Sequence, residues 1–342
     1  MQVLLSRAVG GPETLTLEEM PDPAPGPGEV LIEVAACGVN FPDLLLIQDL
    51  YQARPSRPFA PGAEVAGVVA AVGPNVEGFT PGDRVIGRTG WGGMAEKIVL
   101  DAGRCTRIPA AMPLDQAAVF LFTYATAYFA LVTRGRLVAG ETVLVLGAAG
   151  GVGIAAVQIA KALGARVVAA ASSLDKLAFA REQGADDGLV YPEQAGIEEG
   201  RAFARSLKGA VGAAGADIIV DPVGGPVAEP ALRAIAEGGR YLVLGFTAGI
   251  PAVPLNLPLL KSCDILGVNW RTFATAHAAG NEANQRELFR LYESGRIAPA
   301  ITARYPLARG GEAIARLRDR SALGKVVVTM PGSPALLSPA DG

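Results

Sequence analysis

The residues with the plainest chemical potential lie in the run Gly147-Ala148-Ala149-Gly150-Gly151-Val152-Gly153. Small side chains at this density let a backbone approach a pyrophosphate. A helix starting there adds free N–H groups and the positive end of its dipole. The surroundings suit that chemistry: an apolar strand, Thr142 to Leu146, comes before, and an amphipathic helical stretch, Ile154 to Leu163, follows. Gly150, Gly151 and Val152 are the expected phosphate-binding positions, with Ala148 replacing the first glycine of a G-x-G-x-x-G pattern. The blander reading is a Gly-rich turn that merely closes a strand–helix junction.

A dinucleotide site for NAD carries an acidic residue about 20 positions further on, which binds the ribose hydroxyls. Here the second strand ends Ala169-Ala170-Ala171-Ser172-Ser173, followed by Leu174, Asp175 and Lys176. Hydroxyls and one ammonium stand in place of the carboxylate. That exchange removes repulsion against a 2′-phosphate, and Lys176 adds attraction, so NADPH is the expected cofactor. Alternatively, Ser172 is a plain N-cap with Asp175 three residues on, and Lys176 is a solvated helix charge. The two readings are compatible, since a capped helix N-terminus is itself an anion site.

Positioning such a turn takes a parallel sheet, and the chain beyond residue 142 has that texture. Apolar strands are read at Thr142 to Gly147, Arg166 to Ala171, Gly188 to Tyr191, Ala216 to Val223, Gly239 to Gly245 and Cys263 to Asn269. Helical stretches, among them Val152 to Leu163 and Ser173 to Gln183, lie between them, which predicts an α/β doubly wound fold. Upstream, short β-rich runs such as Glu29 to Ala36, Glu64 to Val72 and Arg84 to Gly87 are punctuated by Gly and Pro turns, as in a small β-dominated domain. Downstream, a helix at Asn281 to Ser294 leads to Ile297 to Arg304 and to a helix and strand within Gly311 to Thr329, expected to return to the first domain.

At 342 residues the chain is about twice a usual domain, and half of it is hydrophobic while 18% is charged, a globular enzyme's composition. With a net charge of −3 and scattered Lys and Arg, it lacks the basic surface that nucleic acid requires. Cys37, Cys105 and Cys263 lie far apart with no C-x-x-C spacing, fitting neither a disulfide framework nor a thiolate metal site. A reducing, cytoplasmic setting is expected. Met1 to Ser6 read as an opening strand, not a signal peptide. The longest apolar region, Val143 to Ala171, is interrupted by Gln158, Lys161 and Arg166, so no membrane span is expected.

Further segments add to this pattern: Cys37-Gly38-Val39-Asn40-Phe41-Pro42-Asp43, Pro61-Gly62-Ala63-Glu64-Val65-Ala66-Gly67, Gly82-Asp83-Arg84-Val85, Gly92-Gly93-Met94-Ala95-Glu96, Asp221-Pro222-Val223-Gly224 and Gly324-Lys325-Val326-Val327. In this order they resemble the zinc-free quinone oxidoreductase, or ζ-crystallin-like, branch of the medium-chain dehydrogenase/reductase superfamily, over nearly the whole chain. The resemblance implies a GroES-like β-rich catalytic domain (residues 1–121, rejoined by 297–330) around an inserted Rossmann NADPH-binding domain (122–296). The last stretch, residues 331–342, is Pro, Ser and Ala with little to bury, and a flexible tail is expected there. Zinc enzymes of the superfamily have a ligand Cys where this chain has Asn40 and a ligand His where it has Ala63. The four-cysteine zinc lobe that would follow Arg84-Val85 is missing too. With His277 the single histidine, a metal's three or four ligands are not available, and none is expected. His277 is read as a solvated residue near a helix start.

Without a Lewis acid, charge developing on the hydride acceptor must be met by positioned donors or spread over a conjugated system. Quinones and α,β-unsaturated carbonyls satisfy this. The expected activity is NADPH-dependent, zinc-independent reduction of quinones. The alternatives are reduction of alkenal or enoyl-type double bonds and, in another class, a non-catalytic NADPH-binding structural or RNA-binding protein. By resemblance, Asn40 and Asp43 face the nicotinamide, Thr126 lies near the cofactor, and Tyr51 lines the substrate site as a candidate donor to the acceptor oxygen. Phe41 and Leu45 line it as well. Tyr191 is placed at the 2′-phosphate, and Lys325 reaches the cofactor. Val223, Gly245, Phe246 and Asn269 fall just beyond the carboxyl ends of the fourth, fifth and sixth strands, the ligand edge of such sheets. Blander readings make Thr126 a buried helix hydroxyl, Tyr51 a packing aromatic and Lys325 a surface charge. No residue stands out as proton donor, and water can serve. Cys263 to Trp270 read as an edge strand, which in the family pairs with its copy in a homodimer.

Overall fold

The computed structural model describes residues 1–192 and 197–332. The chain divides into two units: Met1–Phe122 with Pro299–Gly342, and Thr123–Ala298. From residue 333 on, the expected flexible tail lies outside the described residues.

The strands of residues 1–122 are β1 (Gln2–Leu5), β2 (Thr16–Glu19), β3 (Glu29–Gly38), β4 (Glu64–Val72), β5 (Arg84–Arg88), β6 (Lys97–Asp101) and β7 (Cys105–Arg107). The second unit contributes β8 (Thr142–Leu146), β9 (Arg166–Ala171), β10 (Asp187–Val190), β11 (Ala216–Asp221), β12 (Ile235–Val243) and β13 (Asp264–Gly267). The returning segment adds β14 (Ile301–Pro306) and β15 (Lys325–Thr329).

In the first unit the hub is β3. Its Val30, Ile32 and Val34 alternate into a core shared with Leu44, Val65 and Val328. One edge of β3 pairs antiparallel with β4, while the other pairs with β6 along its first half and with β15 along its second. Both ends of the unit's sequence therefore meet on one strand. The sheet runs β14-β15-β3-β4-β5-β7.

The second unit is a six-stranded parallel sheet in the order β10-β9-β8-β11-β12-β13, the doubly wound arrangement whose strand order reverses beside the first strand. β12 begins at Ile235, earlier than the Gly239 expected from sequence. The pairing of β11 with β12 carries through Gly238-Gly239 by a register shift between Ala216 and Ile218. The helix Gly151–Ala162 is likewise buried on most of its circumference, not along one stripe as the amphipathic reading has it. Its Ala-rich sequence permits that close packing. Among the described residues one helical run, Leu114–Arg134, is long and apolar enough to cross a membrane, and it is 72% buried within the protein, as core helices are. The region Val143 to Ala171 instead breaks into β8, that helix and β9.

Backbone crowding at the turn after β8 is severe. Gly147 sits at φ +59, and a Cβ on Gly153 would lie 2.2 Å from the Gly147 carbonyl oxygen. Since backbone is what it would strike, the turn would have to open. Gly153→Ala is expected to destabilise the protein by about 1–3 kcal/mol. Thermal unfolding without nucleotide checks this: an unchanged Tm would show that the turn is not tightly packed.

Candidate active site and nucleotide site

In the first unit the strand pairings bring four polar side chains together. Val327 of β15 opposes Gly38 of β3, so Lys325 comes level with Asn40, just past the end of β3. Across the other edge, Glu64 of β4 also opposes Gly38. Asn40 caps the helix Phe41–Ile47, and Asp43 in its first turn reaches back, accepting from the Asn40 N–H at 2.7 Å. The second Asp43 oxygen accepts from the Gly62 N–H at 3.0 Å. Lys325 Nζ donates to Asn40 Oδ1 at 2.6 Å and to the Val39 carbonyl at 2.8 Å. Asn40 Nδ2 donates to the Gly38 carbonyl at 3.3 Å. Glu64 Oε1 accepts from the Phe122 N–H at 2.8 Å, whereas its Oε2 is buried without a partner.

All four side chains are at most 5% exposed. Burial therefore dominates their ionisation: it raises the Asp43 carboxyl to about 6, against the pull of the Asn40 and Gly62 N–H groups and of Lys325. Burial likewise pushes Glu64 up and Lys325 down, each effect opposed by attraction between the two. The neighbouring Cys37 thiol is pushed well up, again by burial first. Asp43 spends its oxygens on backbone donors, so it shapes the chain at Asn40. Tyr51 stands apart, half-buried against the apolar core with Phe41, and among the described residues it shares no hydrogen bond with this set.

In the second unit the expected nucleotide residues gather at the carboxyl ends of the strands. Gly150, in extended conformation, caps the helix that opens with Gly151 and Val152. Beyond β9 the cap of the helix Leu174–Glu182 is Ser173, whose Oγ accepts from the Lys176 N–H at 3.3 Å. The alternative with Ser172 as cap is thus corrected by one residue. Ser172 Oγ is left to accept from Lys176 Nζ at 3.0 Å, so the lysine folds back over the helix start and is not a solvated charge. Tyr191 joins this corner, its N–H donating to the Ala171 carbonyl at 2.9 Å, and its ring packs edge-on against Phe203. Val223, buried, and Gly245 follow β11 and β12; Phe246 is exposed. Asn269 caps the helix Trp270–Ala276. Thr126, half-buried, begins the short helical turn Thr126–Tyr128 between two π-helical stretches. His277 is exposed at the start of the helix Ala278–Glu293.

Two groups escaped the reading of the sequence as site residues. Glu64 carried a signal, a carboxylate opening an otherwise apolar strand. So did Asp221, which closes one: its Oδ1 accepts from the N–H groups of Val223 (2.7 Å) and Gly224 (2.8 Å), and its Oδ2 from the Tyr241 hydroxyl (2.5 Å). Burial raises the Asp221 carboxyl, and these bonds oppose that shift.

Residues 26–110 match the alcohol dehydrogenase GroES-like domain, and residues 151–284 match the family described as zinc-binding dehydrogenase. The chain is 36% identical to rat quinone oxidoreductase-like protein 2, over 93% of this chain and 89% of that one. It belongs to the quinone oxidoreductase branch of the medium-chain dehydrogenase/reductase superfamily. Among solved structures of this superfamily it resembles mycobacterial Rv1454c complexed with NADPH (32% identity, TM-score 0.88, 96% of this chain and 99% of that one). It also resembles Escherichia coli quinone oxidoreductase complexed with NADPH (28% identity, TM-score 0.87, 96% and 100%). Where zinc members of the superfamily carry ligand Cys and His, this member has Asn40 and Ala63. Among its described residues no group of three or more His, Cys, Asp or Glu could hold a metal ion.

The Asp43 carboxyl titrates near 6 when folded and near ~3.9 when unfolded, so folding favours its protonated form. Its contribution to stability is complete below about pH 4 and is lost as the pH rises through 6. In Asp43→Asn that loss is expected to vanish, flattening the Tm–pH curve across this window. Calorimetry at half-unit pH steps checks this; an identical slope in both proteins would show that Asp43 does not titrate there.

Proposed function

We propose that this chain is an NADPH-dependent oxidoreductase that reduces quinones and works as a homodimer. The observation that carries the cofactor assignment is the meeting of Lys176 Nζ with Ser172 Oγ beside the Ser173 cap. It lies at the strand end where an NAD-binding sheet presents a carboxylate. An ammonium among hydroxyls at a helix N-terminus attracts a phosphate dianion. The N–H groups of Gly151 and Val152 suit the pyrophosphate. The two solved relatives with bound NADPH support the same cofactor. When bound, NADPH supplies the hydride. Asn40 then offers a neutral N–H donor to the acceptor oxygen, with Tyr51 a second candidate. A quinone spreads its new charge over the ring, so donors of this strength suffice. The names of the relatives support that acceptor class. The three cysteines are free, in keeping with a reducing, cytoplasmic setting.

Among the described residues β13 has a neighbouring strand on one side only. Around it Leu255, Leu259, Leu260 and Ile265 are exposed, Leu259 by 78%. Pairing with a second copy would continue the sheet and cover them.

Fluorescence titration is expected to show NADPH binding far more tightly than NADH. Lys176→Ala should weaken NADPH roughly ten- to a hundredfold, the worth of a charge-assisted hydrogen bond of about 1.5–3 kcal/mol, and leave NADH unchanged. Equal affinities would remove the phosphate site. Turnover with an aryl quinone is expected in the same preparation; turnover with 2-alkenals alone would replace quinone by the conjugated double bond. Sedimentation is expected to give a dimer that Leu259→Asp converts to a monomer, and a wild-type monomer would refute the pairing.

A further inference from the structure

Asn40 owes its orientation to Lys325. A carboxamide is nearly symmetric in shape, so packing alone does not decide which end is oxygen. An ammonium decides it, because Nζ only donates: facing Lys325, the amide must present Oδ1. Nδ2 is then directed away from Lys325, with one hydrogen bonded to the Gly38 carbonyl at 3.3 Å and the other left as a donor. The charge at Nζ also polarises the amide and strengthens that remaining N–H.

We propose that Lys325 is a positioning residue, whose ammonium locks the Asn40 carboxamide with its N–H turned to the acceptor oxygen, and that Glu64 is the counter-charge keeping that ammonium in place. The role of Asn40 toward the acceptor rests on the function proposed above; the locking itself does not.

The groups facing Nζ are Asn40 and the Val39 carbonyl, which accept its hydrogens, together with Glu64 from β4, Asp43 from the helix Phe41–Ile47 and Cys37 from β3. Glu64 pulls hardest among the charged neighbours, and its Oε2 is buried without a hydrogen-bond partner. Once Lys325 loses its proton, the neutral amine also accepts, and either face of the amide is tolerated. Burial brings that loss below the ordinary lysine range. The lock is expected to open on the alkaline side: kcat falls there while the affinity for NADPH holds.

The test pairs kinetics with a signal independent of turnover. In the wild type, kcat for an aryl quinone is expected to decline with a midpoint below the ordinary lysine range, and the Asn40 side-chain amide resonances in ¹⁵N-asparagine-labelled protein should move with the same midpoint. Lys325→Met should lower kcat about ten- to a hundredfold, somewhat less than losing an oxyanion donor outright, and abolish both alkaline transitions. Its NADPH affinity should stay within about threefold. Glu64→Gln keeps the lysine and most of the packing, and should move both midpoints to lower pH. Alkaline transitions that persist in Lys325→Met overturn the proposal, as does a large loss of NADPH affinity at unchanged kcat, which would make Lys325 a direct cofactor ligand. If the wild type reduces no quinone, the function proposed above fails, while the amide titration still decides the lock: midpoints insensitive to Glu64→Gln would refute it.

Discussion

Lys325 Nζ lies 2.6 Å from Asn40 Oδ1, across 285 residues of chain, beside a core made mostly of Val, Leu and Ile. Withdrawing an ammonium from water costs several kcal/mol unless hydrogen bonds and opposite charge meet it there. Much of the first unit can be understood as meeting that cost. β15 must pair with β3 to bring the amine to Asn40 and Val39, and β4 must pair with β3 in its present register to set Glu64 against it. Asp43 adds negative charge and holds the backbone of Asn40 through the helix start. Removing any one member would leave a buried charge or a buried donor unmet, so the group works as a unit.

The second unit meets an analogous demand with dipoles in place of ions. Its strand ends carry helix starts, hydroxyls, one lysine folded over a cap and, among the described residues, one buried carboxylate, Asp221. The helix starts, hydroxyls and lysine stay near water and are ready for a phosphate. At Gly147 and Gly153 a Cβ would strike the Val223 side chain and the Gly147 carbonyl, so glycine lets this turn close tightly. Asp221, sealed by Tyr241 and two N–H groups, shapes the neighbouring strand end in the same economical way.

The two arrangements suit different physical demands. Binding a dinucleotide calls for attraction to fixed negative charge, which exposed dipoles and an ammonium supply. Accepting a hydride calls for donors that are already oriented when charge appears, because reorientation during the step would forfeit much of their effect. A buried amide held by a buried cation, as Asn40 is by Lys325, is oriented in advance in this way.

Much of this was legible in the residues themselves. The Gly-rich run, the apolar strands on either side of it and the missing carboxylate after the second strand are local patterns, set by steric and charge requirements within a few residues. They sufficed for the doubly wound sheet and for setting Gly150, Gly151, Ser172, Ser173 and Lys176 at the helix starts that follow β8 and β9. The resemblance to a family extended that reading to Asn40, Asp43 and Lys325 as residues of interest. What the chain alone left open was partnership. Ser172 and Ser173 differ by one position, and only the helix start, fixed by where the folded strand ends, assigned the cap to the second. Glu64 looked like the opening of a β-rich run, and Lys325 like a surface charge or a cofactor contact. They become neighbours because Gly38 opposes both β4 and β15, and strand register between segments hundreds of residues apart is decided by packing of the whole sheet, which no local spacing records.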